Sequence, residues 1–245
     1  MKILGIIPAR FASTRFPGKP LAEINGKTMI QRVYEQCSLS TRLESVIIAT
    51  DDERIYKHVE SFGGRVVMSD PQHPSGTDRC AEVLKKLEHK PDVVVNIQGD
   101  EPFIHPEQID LLCSAFDDSE VGIGTLVKKI TSTEELFNHN AVKVILNKNL
   151  EALYFSRLPI PYNRNFPESE WLKHSTYYKH IGIYGYRVEV LEQISNLEKT
   201  KLEISESLEQ LRWIENGFRV YAKITSFESF GIDTPEDLIR LKVTE

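Results

Sequence analysis

The sequence predicts an α/β protein with a mostly parallel central sheet flanked by helices, and a smaller antiparallel β portion in its second half. Three observations carry this. Through the first half, short apolar runs alternate with helical patterns of about ten to twelve residues, the signature of βαβ units. One of those runs, residues 93–97, is apolar enough to be central in the sheet. Beyond about residue 120, short β-rich runs follow one another with few helices between them, as antiparallel strands or a small lid do.

Taken in order, Ile3-Leu4-Gly5-Ile6-Ile7 reads as a strand buried on both faces, and Pro8, unable to donate to a ladder, should end it. Asn25-Gly26 marks a turn. Met29, Ile30, Val33, Tyr34 and Cys37 recur at helical spacing, predicting a helix over residues 29–39. Residues 45–49 form the next strand. Asp51-Asp52-Glu53 caps the helix after it, whose apolar face is Ile55, Val59 and Phe62, and Gly63-Gly64 stops that helix. Residues 65–68 give a third strand, the loop 69–76 leads into a helix carrying Cys80, Ala81, Leu84 and Leu87, and the strand at 93–97 ends in Gln98-Gly99-Asp100.

Ile109, Leu112, Cys113 and Phe116 make a further helix. Strands follow over 121–127, 142–146, 153–155 and 181–186, with Asn147-Lys148-Asn149 as a hairpin turn. Residues 202–215 read as one helix, 220–224 as a strand, and 235–241 as a last helix begun by Asp233-Thr234-Pro235. Residues 163–176, Trp171 included, match no pattern and are expected to form a mobile surface loop. No linker or repeat divides the 245 residues, so one domain with an inserted β portion is expected.

A net charge of −6 argues against non-specific binding to nucleic acid or an acidic membrane, and no apolar stretch approaches the length of a span. Lys2 precedes an apolar run too short for a secretory signal. Cys37, Cys80 and Cys113 are odd in number and widely spaced, as buried thiols in a reducing compartment would be. A cytoplasmic protein is expected.

The chemistry-bearing residues fall in four blocks. The first is the loop after the first strand, where the cations Arg10, Arg15 and Lys19 alternate with Ser13, Thr14 and Gly18, a composition suited to a polyphosphate. A solvated basic turn fits that composition equally, and neither GxGxxG nor GxxxxGK[ST] is present. The second block is His73-Pro74-Ser75-Gly76-Thr77-Asp78-Arg79, a turn entering a helix whose N-terminus suits an anion or a base edge. Third come two lone carboxylates: Asp100, projected by Gly99 from a strand end, and Asp233. Each reads as a ligand for a hard cation or as a helix cap. The fourth block contains Arg157, able to hold a carboxylate bidentately, with His180, Tyr184, Glu209 and Gln210 able to bond sugar hydroxyls. Each of these also has an ordinary structural use. No Ser-His-Asp set, HExxH or cysteine cluster supports a hydrolase or zinc reading.

The run Ile7-Pro8-Ala9-Arg10-x-x-Ser13-Thr14-Arg15-x-Pro17-Gly18-Lys19-Pro20 resembles the signature loop of sugar-activating cytidylyltransferases, a family with a Rossmann-like nucleotidyltransferase fold. The blocks around Asp100, Arg157, His180–Arg187, Glu209 and Asp233 extend the likeness to the branch acting on the acidic eight-carbon sugar 3-deoxy-manno-octulosonate (Kdo). That resemblance implies CTP and Kdo as substrates and CMP-Kdo and diphosphate as products, made for lipopolysaccharide biosynthesis. It implies Mg²⁺ on Asp100 and Asp233, and catalytic roles for Arg10, Lys19, Asp100 and Asp233. Arg10, Ser13, Arg15 and Lys19 are then phosphate contacts, Ser75 and Arg79 cytosine-side contacts, Gln98 a neighbour of sugar and nucleotide, and Arg157, His180, Tyr184, Glu209 and Gln210 the sugar site. It further implies a nucleotide-binding core of about 1–120 and 218–245, a sugar-binding and dimerisation portion of about 121–217, and a homodimer. An enzyme for 8-amino-Kdo or a sialic acid, and a nucleotide-binding regulator without chemistry, remain the alternatives.

Overall fold

The computed structural model of the chain describes residues 1–12, 16–228 and 230–238. They divide into two units, residues 1–113 with 230–238, and residues 114–228.

The first unit opens with β1 (Ile3–Ala9) and the short strands β2 (Glu23–Ile24) and β3 (Lys27–Thr28), which close on the Asn25-Gly26 turn. Helices and strands then alternate as predicted: α1 (Met29–Ser38), β4 (Ser45–Thr50), α2 (Glu53–Ser61), β5 (Val66–Met68), α3 (Gly76–Lys86), β6 (Val93–Asn96) and α4 (Pro106–Cys113). All four longer strands run parallel, in the order β6-β1-β4-β5. Ile6, Ile7, Ile48, Val94 and Val95 are wholly buried, the near-continuous apolar content a doubly covered sheet demands. Thr28, Asp52 and Ser75 cap α1, α2 and α3, their side chains accepting from the N–H groups of Gln31, Arg54 and Asp78. Cys37, Cys80 and Cys113 are buried thiols.

Pro8 does not end β1; the strand runs on to Ala9, with Pro8 opposite Ala49 of β4. Peptide groups two residues apart face the same neighbour, so Pro8 shares the direction of Ile6, whose carbonyl accepts from Ile97 on the β6 side. Pairing with β6 finishes at Ile6–Asn96. The missing N–H of Pro8 therefore costs no ladder bond.

The second unit contains β7 (Ile123–Lys129), α5 (Thr133–Phe137), β8 (Lys143–Leu146), β9 (Ala152–Ser156), α6 (Trp171–His174), β10 (Tyr178–Arg187), α7 (Val188–Ile194), α8 (Lys201–Glu206), α9 (Gln210–Glu215) and β11 (Val220–Thr225). β7 lies between antiparallel β10 and parallel β11, while β8 pairs antiparallel with β9 and with the start of β10. The expected hairpin turn joins β8 to β9, its Asn147 side chain accepting from Asn149 N and Glu151 N.

Two expectations are corrected here. Residues 202–215 are not one helix: Ser207, at φ 54°, separates α8 from α9. The reason is the buried ion pair of Glu203 with Arg212, whose Nε and terminal amine donate to the carboxylate at 2.8 and 2.9 Å. Nine residues of straight helix make about two and a half turns and would put these side chains on opposite faces. Residues 163–176 are not a loose loop either. Trp171 is 3% exposed in a cluster with Ile130, Leu136 and Tyr177, and its indole N–H donates to Phe166 O at 2.9 Å. The apolar residues that anchor this segment are too sparse to show a helical period.

Trp171→Ala should therefore destabilise the fold by about 3–5 kcal/mol, the usual cost of emptying a buried aromatic site. Urea unfolding followed by the fluorescence of Trp213 measures it, and a loss below about 1 kcal/mol would place Trp171 outside the load of the core.

Candidate functional site

In an open parallel sheet, ligands lie beyond the C-terminal strand ends, because there the loops diverge and helix N-termini face outward. The first unit gathers three sequence blocks at that edge. Arg10 follows β1 and is exposed. Gly76, at the start of α3, lies against Pro8 and Asn96: a Cβ added there would meet their side chains at 3.2–3.4 Å. Gly99 passes so close to β1 that a Cβ would stand 2.8 Å from the Pro8 carbonyl oxygen, so only glycine lets the chain turn toward Asp100 at this point.

Asp100 and Asp233 come from distant parts of the chain and meet at one cation. Lys19 Nζ donates to Asp100 Oδ2 at 2.7 Å and to Asp233 Oδ1 at 3.4 Å. Lys19 opens a single 3₁₀ turn, Lys19–Leu21, launched by Gly18 in the left-handed region at φ 71°. Ile232 N–H donates to the Asp100 carbonyl at 2.9 Å, stitching the segment of Asp233 to that of Asp100. Two carboxylates this close repel unless a cation lies between them, and the ammonium of Lys19 fills that role. The pair also fits a divalent metal: Mg²⁺ takes one or two carboxylates and completes its shell with water and phosphate oxygens.

The remaining nucleotide-side candidates divide. Ser75 caps α3 and also donates to Asp78 Oδ2 at 2.7 Å. Gln98 lies half-buried between β6 and Asp100. Arg79 is corrected: it is 1% exposed and donates to Ser69 Oγ and Asp51 Oδ2, each at 2.6 Å, so it braces α3 against the segment after β4 and does not face a base. Its partner Asp51 was expected within the cap of the next helix and serves instead to hold Arg79. Ser13 and Arg15 lie outside the described residues.

In the second unit the decisive feature is a bulge. β10 pairs Ile181 with Leu126 and then Tyr184 with Thr125, so the register shifts there by the two residues Gly182 and Ile183. The Thr125 hydroxyl fills the gap, donating within reach of the Ile183 and Ile181 carbonyls at 2.8 and 3.3 Å and sharing a hydrogen bond with His180 Nε2 at 3.0 Å. Residues four apart on a straight strand stand about 13 Å apart. The bulge shortens that separation, and the His180 and Tyr184 rings lie 5.1 Å apart. Burial pushes the His180 imidazole down to about 3, so it is neutral at physiological pH. Burial also raises the Tyr184 phenol, with smaller contributions from Tyr186 and Glu209. The Tyr184 hydroxyl is buried without a hydrogen-bond partner, an arrangement that costs stability unless a ligand or water completes it. Glu209 precedes α9 and Gln210 begins it, the latter 5% exposed.

The Arg157 guanidinium donates to the backbone carbonyls of Glu206, His139 and Ser207 at 2.7, 3.2 and 3.3 Å, fastening the end of β9 to α8. The carboxylate it sits beside, Glu206, accepts from Ser156 Oγ and Arg157 N, a role no sequence signal announced.

Among the described residues no helix is long and apolar enough to cross a membrane. The sequence profile of the family described as Cytidylyltransferase matches residues 4–225. A 3-deoxy-manno-octulosonate cytidylyltransferase of Parabacteroides distasonis is 58% identical over 97% of this chain and 96% of its own. Another, of Bacteroides thetaiotaomicron, is 56% identical over the same shares. Among solved structures, that of CMP:2-keto-3-deoxy-manno-octonic acid synthetase complexed with CTP superposes with a TM-score of 0.93 at 41% identity, covering 100% of this chain and 98% of that one. The chain belongs to the cytidylyltransferase family, in the group of 3-deoxy-manno-octulosonate cytidylyltransferases.

Proposed function

We propose that this chain transfers CMP from CTP to the anomeric hydroxyl of Kdo, releasing diphosphate. Family membership supplies the substrates, and the observation that carries the chemistry is the convergence of Lys19, Asp100 and Asp233 at the C-terminal edge of a parallel sheet. The anomeric oxygen attacks the α-phosphorus in line, and the bond from that phosphorus to the bridging oxygen of the diphosphate breaks. Catalysis of this kind rests on positioning and charge neutralisation. Arg10 and Lys19, with Ser13 and Arg15 of the same loop, would hold the β- and γ-phosphates and stabilise the departing diphosphate. Ser75 and Gln98 would border the nucleotide. Asp100 and Asp233 would hold Mg²⁺, which supplies Lewis-acid charge neutralisation at the α-phosphate when bound.

His180, Tyr184, Glu209 and Gln210 would hold the sugar. A neutral imidazole, a phenol without an internal partner, a carboxylate and an amide offer the mixed donors and acceptors that a polyhydroxy acid needs. We also propose that the reaction runs in the cytoplasm, which the buried thiols Cys37, Cys80 and Cys113 support, and that the activated sugar serves lipopolysaccharide biosynthesis. We also propose a homodimer joined through the second unit, where Leu153, Leu158, Tyr162 and Ile204 are each more than half exposed.

Purified protein with CTP, Kdo and Mg²⁺ should release diphosphate, and omission of Kdo or chelation of Mg²⁺ should stop it. Asp100→Asn should lower turnover by about 10²–10³, the scale of losing one fixed electrostatic contact, and full turnover in that variant would remove Asp100 from the metal site. Tyr184→Phe should leave the thermal midpoint equal or higher, since it deletes a buried hydroxyl without a partner, while raising KM for Kdo about tenfold. An unchanged KM would exclude the hydroxyl from sugar recognition. Light scattering should report twice the 28.1 kDa chain mass, and a monomer at working concentration would sink the dimer.

A further inference from the structure

Phe11, in the loop that begins at Arg10, is held by a residue of another element. The guanidinium carbon of Arg54 stands 3.3 Å from the centroid of the Phe11 ring. Arg54 does not swing freely over that ring. Its backbone N–H and Nε donate to Asp52 Oδ1, both at 2.9 Å, and its terminal amine donates to Asp52 Oδ2 at 2.6 Å. Asp52 in turn is the N-cap of α2, so the guanidinium plane is fixed to the start of a helix. Phe11 is also tied forward along its own loop. Gly18 N–H donates to the Phe11 carbonyl at 2.9 Å, and a Cβ added at Gly18 would meet the Phe11 ring at 3.1 Å. The residue after Gly18 is Lys19, whose ammonium lies between Asp100 and Asp233.

The geometry points to Asp52, Arg54 and Phe11 as a positioning stack that holds Gly18, and so the turn that carries Lys19, for CTP. This deepens the proposed function and rests on it. Arg54 is not assigned a contact with phosphate: its charge is matched by Asp52, and what it offers Phe11 is a flat, immobile surface. A Lys19 turn braced before the ligand arrives pays less ordering entropy on binding, so the stack acts on affinity for CTP and leaves the sugar untouched. Arg54 is largely exposed, and its removal takes little from the core.

The test is calorimetric titration of the full chain with CTP and Mg²⁺ in the absence of Kdo. Arg54→Ala should weaken CTP binding about two- to fivefold, the scale of one exposed cation–π contact. Phe11→Leu should weaken it by the same factor, the double variant Arg54→Ala/Phe11→Leu no further, and Phe11→Tyr, which keeps the ring face, should restore it. Thermal midpoints within a few degrees of one another confirm that all variants fold, and steady-state turnover should show the loss in KM for CTP with kcat and KM for Kdo unmoved. Unchanged CTP affinity in Arg54→Ala overturns the stack. So do additive losses in the double variant, which would make Arg54 a phosphate ligand in its own right. Absence of diphosphate release by the parent chain with Kdo would overturn the assigned reaction alone, since the binding comparison does not depend on it.

Discussion

The first unit depends on a single electrostatic constraint: the carboxylates of Asp100 and Asp233 can share one edge of the sheet only around a cation. Several otherwise separate features follow from it. Gly99 is needed because a Cβ at this point would stand 2.8 Å from the Pro8 carbonyl oxygen on the way to Asp100. The Ile232 N–H bonds back to the Asp100 carbonyl, so the second carboxylate arrives on a strapped segment. Gly18 adopts a left-handed conformation so that the 3₁₀ turn can deliver Lys19. An ammonium already at that point keeps the two acids together, and a metal bringing two charges would meet an assembled donor pair. Lys19 would then be displaced toward the phosphates that accompany the metal, where a compact, rotatable point charge is well suited.

The second unit solves a different problem, bringing together two side chains of one strand. A regular strand cannot do so across four residues. The bulge after Ile181 draws His180 and Tyr184 together, and Thr125 keeps the carbonyls it exposes from going unpaired. The cost is a phenol left without an internal partner. In the proposed sugar site that phenol would discriminate, because a sugar lacking the matching oxygen would leave it unpaired in the complex as well.

How far these arrangements were legible in the sequence depended on the range of the interactions behind them. The parallel strands and their helices were readable because burial on both faces writes itself as local apolar runs, and Asp52 as a cap because capping is decided within three residues. Asp100 and Asp233 could be named as candidates, yet only the folded chain brings them to Lys19. The break at Ser207 was not readable, because the helical period continues through it while its cause, the pair of Glu203 and Arg212, acts across the fold. Trp171 was lost for a related reason: its partners Ile130 and Leu136 lie far back in the chain.

The arginines carry the argument furthest. Arg79, Arg157 and Arg212 look equally available in the sequence, yet each is committed internally, to Asp51 and Ser69, to three backbone carbonyls, and to Glu203. Burying a guanidinium is tolerable only with such partners, and a residue so committed cannot also meet a substrate without undoing them. The proposed phosphate chemistry accordingly rests on the cations that follow β1, which would face a triphosphate of about four negative charges. Arg54 at the start of α2 is different again: bonded to its neighbouring acid Asp52, it keeps a face for the Phe11 ring and so ties that segment to the helix.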